Sequence, residues 1–166
     1  MSVDSYKYLP RSMRTVYEAQ PVIGEPYVWA PLPRPVERCT VALLTSAGIY
    51  LKDSQEPFDV EREKREPTWG DPTYRVIPRD VRQEQVGHTH LHINGEDILE
   101  DFNICLPIRA FSRLEAAGSI GRLADEHYSF MGYQERGAKS WQEVQGPELA
   151  TRLEEHAVDV LLLAPA

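Results

Sequence analysis

The sequence predicts an α/β protein with an open, mostly parallel sheet flanked by helices, in the manner of Rossmann- and flavodoxin-like folds. Residues 39–45 and 158–163 are near-continuous apolar runs, which are typical of strands buried on both faces of a parallel sheet. Between these runs lie helical patterns that begin at Pro107 and near Pro147. Alternation of strands with helices favours parallel strands, so we expect residues 38–166 to form one domain.

Residues 1–37 are expected to precede this domain as an extended, proline-rich arm with one short helix. Proline removes a backbone donor and disfavours helix in the residue before it, which leaves only residues 12–20 for a helix. The prolines of the arm are Pro10, Pro21, Pro26, Pro31, Pro33 and Pro35. Tyrosines and a tryptophan between them indicate that the arm packs on the domain or on a second subunit.

The other elements follow from local patterns along the domain. Residues 53–72 are charged and rich in turn formers, which predicts a long surface loop. Residues 74–77 are typical of a short strand. An apolar stripe predicts a helix over residues 107–118, and its last residue is a glycine suited to end it. We expect one more turn over residues 119–124 and a loop over residues 127–133. The aromatic residues of this loop either pack over the core or form the wall of a pocket.

The composition disfavours several classes of partner. The formal net charge is -8 and the pI is about 5.1, whereas nucleic acids and anionic membranes attract clustered lysine and arginine. We therefore expect neither partner. No apolar run approaches the roughly 20 residues that a membrane-spanning helix needs. Residues 1–15 also lack an apolar signal core, so a cytoplasmic protein is expected.

Motifs for common cofactors and nucleophiles are missing. Gly118 and Gly121 are only a fragment of the dinucleotide-binding G-x-G-x-x-G, and they follow a helix rather than a strand. The sequence has no phosphate-binding G-x-x-x-x-G-K-[ST] and no G-x-S-x-G nucleophile elbow. Cys39 begins an apolar strand and Cys105 lies within the apolar stretch before Pro107, which predicts buried structural thiols.

The densest polar cluster is the run of His88, His90 and His92. Alternate residues of a strand point to one face, so three imidazoles there would be able to hold Zn, Fe or Mn. Glu96 extends the run to part of a cupin metal motif, although the glycines and the many strands of a cupin barrel are absent. Two other interpretations stay open: hydrogen-bonded histidines of a polar edge strand, and a substrate pocket in which His88 and His90 act as acid, base or carboxylate-binding groups.

Thr-Ser-Ala-Gly at residues 45–48 follows the first apolar strand. Open α/β sheets bind their ligands just past the carboxyl ends of their strands. Ser46 and the backbone amides after it are therefore candidates for binding a carboxylate. The alternative is an ordinary turn that ends the strand.

Several segments together resemble the selenoprotein B family of glycine, sarcosine, betaine and D-proline reductases. They are CTVALLTSAGIYLKDSQEPFD, GDPTYRVIP, HTHLHINGEDILEDFNICLP, LEAAGSIGRLADEHYSFMGY and VDVLLLAPA, and they run in this order from Cys39 to Ala166. No single motif is diagnostic. The order and spacing of the segments carry the resemblance.

The resemblance implies reductive cleavage of a carbon–nitrogen bond at the α-carbon of an amino acid. A selenolate or thiolate attacks that carbon, a partner subunit supplies a pyruvoyl group that holds the amine, and a thioredoxin-like or dithiol reductant regenerates the nucleophile. The substrate then lies beside residues 45–48. The resemblance implies that five residues bind the substrate carboxylate and transfer protons: Thr45, Ser46, Gly48, His88 and His90.

In that family a strand like residues 158–163 leads into a turn that carries selenocysteine or cysteine. The resemblance therefore implies that the nucleophile follows Ala166, and that this chain is a truncated, inactive reductase whose sheet is incomplete. The alternative is a naturally short protein whose last strand closes the sheet. An incomplete sheet exposes an edge and an apolar face, so we expect a homo-oligomer. The rival hypotheses are a metal-binding module built on the three histidines and a non-catalytic interaction domain that docks through the arm.

Overall fold

The computed structural model describes residues 7–18, 30–66, 69–91, 93–134 and 138–166. It divides the chain into two compact units, Met1–Pro31 and Leu32–Ala166. The first unit contains helix α1 (Arg11–Glu18), in the region where the sequence predicts a helix. Residues 1–6 and 19–29 of the predicted arm lie outside the described residues.

The second unit alternates strands and short helices. Its strands are β1 (Thr40–Thr45), β2 (Ile49–Leu51), β3 (Tyr74–Pro78), β4 (Val86–His88), β5 (Arg122–Leu123), β6 (Glu126–Phe130) and β7 (Val160–Ala164). Its α-helices are α2 (Val60–Arg65), α3 (Glu96–Glu100), α4 (Ile108–Ala116), α5 (Ala138–Ser140) and α6 (Gly146–Glu155). A π-helical turn, Trp141–Gln145, joins α5 to α6.

The five-stranded sheet is built around β1, which is parallel to β5, β6 and β7. Thr45 pairs with both Ser129 of β6 and Ala164 of β7, so these two strands lie on opposite sides of β1. Strand β3 extends the sheet beyond β6 in the antiparallel sense. A separate antiparallel ribbon pairs β2 with β4. The predicted α/β class and the mostly parallel sheet are confirmed.

Strand β1 has two buried faces because helices cover both sides of the sheet. Val41 and Leu43 belong to a core that includes Phe102, which precedes α4, and Ile108, the first residue of α4. The alternate residues Ala42 and Leu44 pack with Tyr128 and with Leu149 of α6. This two-sided burial is why the strand shows a continuous apolar run in the sequence.

The predicted loop at residues 127–133 is wrong in its first half, because β6 occupies the middle of the sheet there. Polar residues concealed this strand in the sequence: His127 and Ser129 are both fully buried. His127 Nδ1 accepts the Leu43 backbone N–H at 3.2 Å, and Ser129 Oγ accepts the Ile49 N–H at 2.9 Å. Backbone donors thus satisfy Ser129 Oγ and His127 Nδ1, although His127 Nε2 is buried without a hydrogen-bond partner in the described residues.

Three further segments differ from the sequence prediction. The charged stretch 53–72 contains α2, whose first turn is capped by Asp59 Oδ1 accepting the Arg62 N–H at 2.9 Å. The expected turn at residues 119–124 contains the short strand β5. Strand β4 ends at His88, so the three histidines do not alternate along one strand. In the described residues, no helix has the length and apolar character to cross a membrane.

Candidate functional site at the carboxyl edge of the sheet

The carboxyl ends of β1, β6 and β7 meet at one edge of the sheet because the three strands run parallel. Thr45, Ser129 and Ala164 mark this edge, since they are paired across the last rungs of the ladders. In open α/β sheets this edge is where ligands bind. The predicted Thr-Ser-Ala-Gly segment, residues 45–48, begins here.

Residues 45–48 form a turn held by several backbone groups. Thr45 is fully buried, and its Oγ1 accepts the Ala47 N–H at 3.2 Å. Gly48 has a φ of +67°, donates its N–H to the Phe130 carbonyl and accepts the Thr89 N–H, both at 3.0 Å. A Cβ at Gly48 would lie 2.4 Å from the Thr89 carbonyl oxygen, so only glycine fits. The turn is therefore fixed between β6 and the residue after β4.

Ser46 connects this turn to the residues that follow β7. Its Oγ accepts the Ala166 backbone N–H at 2.9 Å and lies 3.4 Å from the Ala166 carbonyl oxygen. Gly132 approaches from the exit of β6, where a Cβ would lie 3.1 Å from Ser46 Cβ. The segments that leave the three parallel strands thus converge on the Ser46 side chain.

A cleft of about 180 Å³ opens at this convergence. It is lined by Leu44, Ser46, Phe130, Leu163, Ala164 and Pro165. Leu44 pairs with Leu163 in the ladder, so both side chains lie on the same face of the sheet. Among the side chains of the lining, the Ser46 hydroxyl is polar and the others are hydrocarbon. Roughly 150 Å³ of apolar space is enough for a benzene ring, so the cleft has room for the hydrocarbon part of a small ligand.

Residues 29–166 match the glycine/sarcosine/betaine reductase selenoprotein B (GRDB) family. This chain belongs to that family. The resemblance drawn from the ordered segments is thereby confirmed.

The chain is also similar to D-proline reductase subunit gamma of Acetoanaerobium sticklandii (strain ATCC 12662). The two are 34 % identical over 141 residues, which cover 85 % of this chain and 54 % of the relative. The chain thus spans about half the length of the curated relative that it matches. No solved structure matches the chain.

His88 and His90 do not line the cleft. His88 pairs with Ile49 in the ribbon of β2 and β4. Burial lowers the pKa of its imidazole below the usual value, and the Ala47 carbonyl raises this pKa by a smaller amount. Its Nε2 is buried and has no hydrogen-bond partner in the described part of the chain. His90 is half-buried in irregular backbone beyond β4, and His92 lies outside the described residues.

The metal hypothesis therefore stays a prediction. Across the described residues, no three side chains of histidine, cysteine, aspartate or glutamate are grouped so that they could hold a metal ion. His92 lies outside the described residues, so this finding does not test a site formed by all three histidines.

Neither cysteine lies open at the edge. Cys39 is fully buried next to the amino end of β1, with its Sγ 3.4 Å from the Arg34 carbonyl oxygen. Cys105 is buried and donates to the Phe102 carbonyl at 3.2 Å. Burial raises the pKa of the Cys105 thiol to about 11, so it is protonated at neutral pH. Both cysteines are buried thiols, as the sequence predicts.

Of the five residues proposed from the sequence to bind substrate, Ser46 lines the cleft. Thr45 and Gly48 build the turn beneath it, and His88 and His90 are not part of its lining. Sequence reasoning missed Leu44, Leu163 and Pro165, because apolar side chains there look like ordinary core. The aromatic stretch at residues 127–133 did carry a signal, since a pocket wall was one interpretation of it, and Phe130 lines the cleft.

Proposed function

We propose that this chain supplies a substrate cleft to a reductase that cleaves the carbon–nitrogen bond of an amino acid. The observation that carries the proposal is the small cleft at the carboxyl edge, whose lining is apolar apart from Ser46. Membership of the selenoprotein B family and the similarity to D-proline reductase subunit gamma support the reaction class.

The lining favours a substrate with a hydrocarbon ring over glycine. Glycine has no side chain to contact Leu44, Phe130 or Leu163. A proline ring offers three methylene groups, and burial of each contributes about 0.8 kcal/mol. A preference of about 2 kcal/mol for the cyclic substrate follows, and this supports proline-type rather than glycine-type chemistry.

In this proposal the residues named from the sequence have different roles. Ser46 offers a hydroxyl at the rim of the cleft, where the carboxylate of the substrate would lie. Thr45 and Gly48 hold the turn in shape. His88 is mainly neutral at pH 7 because burial lowers its pKa.

The nucleophile is assigned to a group other than the two cysteines of this chain, because both are buried thiols. In the proposed reaction a selenolate or thiolate bonds to the α-carbon while the bond from carbon to nitrogen breaks. A dithiol then supplies two electrons, becomes a disulfide and releases the nucleophile, and the carbon takes up a proton. The pyruvoyl group of a partner subunit would supply a carbonyl that holds the amine.

Binding to the cleft tests the proposal directly. The chain is labelled with ¹³C in its leucine methyl groups and titrated with D-proline or with glycine. We expect D-proline to shift the Leu44 and Leu163 signals, and glycine to shift them far less at the same concentration. Equal shifts with both amino acids, or none with D-proline, would refute the proposal.

Turnover by the isolated chain tests the assignment of the nucleophile. Reductive opening of the proline ring yields 5-aminovalerate. We expect no 5-aminovalerate from D-proline and dithiothreitol with this chain alone. Product formation that is lost in Cys105→Ser would show that the nucleophile is in this chain.

A metal-binding function is the second proposal, and the buried Nε2 of His88 supports it because that atom has no hydrogen-bond partner in the described residues. His88, His90 and His92 would hold the ion. Metal analysis after incubation with Zn²⁺ is expected to give a stoichiometric ion that is lost in His88→Ala. A metal-free protein under these conditions would rule this function out.

A further inference from the structure

The Phe130 wall of the cleft is packed from behind by a tryptophan. The ring centroids of Phe130 and Trp141 are 4.7 Å apart, with the ring planes at 57°. Trp141 also packs against Tyr74, at 6.3 Å between centroids. Its partly buried ring joins the core cluster that contains Leu44, another residue of the cleft. The indole contacts the Phe130 ring but is not itself part of the cleft lining.

The backbone around Trp141 is unusual. Trp141 opens the π-helical turn, and the Gly146 N–H donates to the Trp141 carbonyl to close it. A Cβ at residue 146 would lie 2.5 Å from that carbonyl oxygen, so the turn requires glycine there. Ser140 Oγ adds a hydrogen bond to Gln145 Oε1 across the turn, at 2.6 Å. Single π-turns are rare and occur frequently at functional sites.

The indole is held here although its N–H is unsatisfied. Nε1 of Trp141 is buried without a hydrogen-bond partner in the described residues. An unmade buried hydrogen bond of this kind destabilises the folded chain. A phenylalanine would avoid the cost but would leave part of the space behind Phe130 empty. The feature that distinguishes tryptophan at this position is its size.

We propose that Trp141 is a positioning residue that holds the Phe130 ring in place and so limits the size of the hydrocarbon ring that the cleft accepts. The inference rests on the proposed function, because it assigns the size selection of that same site. With the indole present, the Phe130 ring has no space into which to withdraw. With a small residue at position 141, the ring withdraws and the cleft deepens.

Two neutral probes, cyclopentanol and cycloheptanol, test the inference without any chemistry at the amino acid. Their affinities are measured from the shifts of the Leu44 and Leu163 methyl signals. In Trp141→Ala we expect the affinity for cycloheptanol, relative to cyclopentanol, to rise at least threefold. Trp141→Phe should change this ratio less. A loss of stability alone would weaken both probes together and leave the ratio unchanged.

The matched control is Trp69→Ala, which removes another tryptophan of the described residues. Trp69 lies with its ring 4.3 Å from the Arg62 guanidinium and is not part of the cleft lining. We expect the ratio in this variant to equal that of the unmodified chain. An equal rise in both alanine variants would overturn the inference.

Other outcomes are equally decisive. An unchanged ratio in folded Trp141→Ala, or no shift of either methyl signal by cyclopentanol in the unmodified chain, would overturn the inference. If Trp141→Ala does not fold, Phe130→Leu trims the wall directly, and an unchanged ratio in that variant refutes it. Binding of the alcohols without binding of D-proline would refute the proposed function alone.

Discussion

At the scale of single residues, His127 shows how one buried imidazole controls stability. It is fully buried, and burial lowers its pKa to about 4, with a further contribution from Arg79 that Asp125 opposes. The unfolded chain binds a proton near pH 6.5 and the folded chain does not, so acid favours unfolding. We expect the free energy of unfolding to fall by about 3 kcal/mol between pH 7 and pH 4 because of this residue.

Urea unfolding across this pH range measures the effect. In His127→Asn, the amide oxygen replaces Nδ1 as the acceptor for the Leu43 N–H, and nothing at this position titrates. Between pH 7 and pH 4, the free energy of unfolding of this variant should therefore fall by about 3 kcal/mol less than that of the unmodified chain. The smaller side chain leaves a cavity, which lowers the stability of the variant equally at every pH. The same slope in both proteins would show that other groups cause the pH dependence.

Gly48 and Gly118 form a natural pair for separating steric clash from backbone strain. Both have a positive φ, +67° and +69°, but a Cβ at Gly48 meets the Thr89 carbonyl whereas one at Gly118 meets nothing within 4 Å. Gly118→Ala should cost about 1 kcal/mol from backbone strain alone. Gly48→Ala should cost about 3 kcal/mol or more because the clash is added. Equal losses in thermal or urea unfolding would mean that the turn adapts without cost.

The candidate site could be predicted only in part from single residues. Thr45, Ser46 and Gly48 were found because they follow a recognisable buried strand, and the rule about carboxyl ends then applies. The leucines of the cleft carry no local signal, because Leu44 in a cleft and Leu43 in the core look alike in sequence. Which of them faces open space depends on where α6 and the π-turn end, and this is a tertiary property.

At the scale of elements, an ion pair holds α6 against the sheet. Arg152 on the helix donates from both Nε and Nη2 to the two carboxylate oxygens of Glu126 on β6, each at 2.7 Å. These bonds lower the pKa of Glu126. The side chains are 37 % and 23 % exposed, so solvent weakens the pair without removing its effect.

A double-mutant cycle of Arg152→Gln and Glu126→Gln should give a coupling energy of about 1 kcal/mol. The matched pair is Arg62 and Glu66, which lie four residues apart with more than two fifths of each side chain exposed. Its coupling should be about 0.3 kcal/mol. Similar couplings from the two cycles would contradict a role for Arg152 in docking the helix.

Elements that obey a simple burial pattern were predictable, and those that mix environments were not. Strand β1 and helices α4 and α6 follow apolar runs or stripes that the fold buries. The apolar run at residues 158–163 also predicts a strand, but the prediction that it is buried on both faces is wrong, because β7 lies at an edge of the described sheet and its residues are partly buried or exposed. Strand β6 was missed because His127 and Ser129 enter the core through hydrogen bonds to the backbone of residues 43 and 49. These hydrogen-bond partners are distant in sequence, so no local pattern predicts that the two polar side chains are buried.

At the scale of the whole molecule, one edge of the main sheet is uncovered in the described structure. Strand β7 pairs with β1 on one side, and within the described residues no strand pairs with its other side. Its five residues contain no charge and no proline, which are the usual protections of an edge strand. Leu162 and Leu163 are 38 % and 63 % exposed, on opposite faces of the sheet.

An edge of this kind favours pairing with another chain, so we predict that the protein self-associates through β7. Light scattering should show a mass that rises with protein concentration. Leu163→Lys places a charge beside the unpaired backbone, at a side chain that is already mostly exposed, and should shift the protein toward monomer without loss of stability. Val144→Lys, at another apolar residue that is 52 % exposed, is the control and should leave the mass unchanged. Equal effects of the two substitutions would indicate association through general surface hydrophobicity, and a monomer at every concentration would show that β7 does not pair between chains.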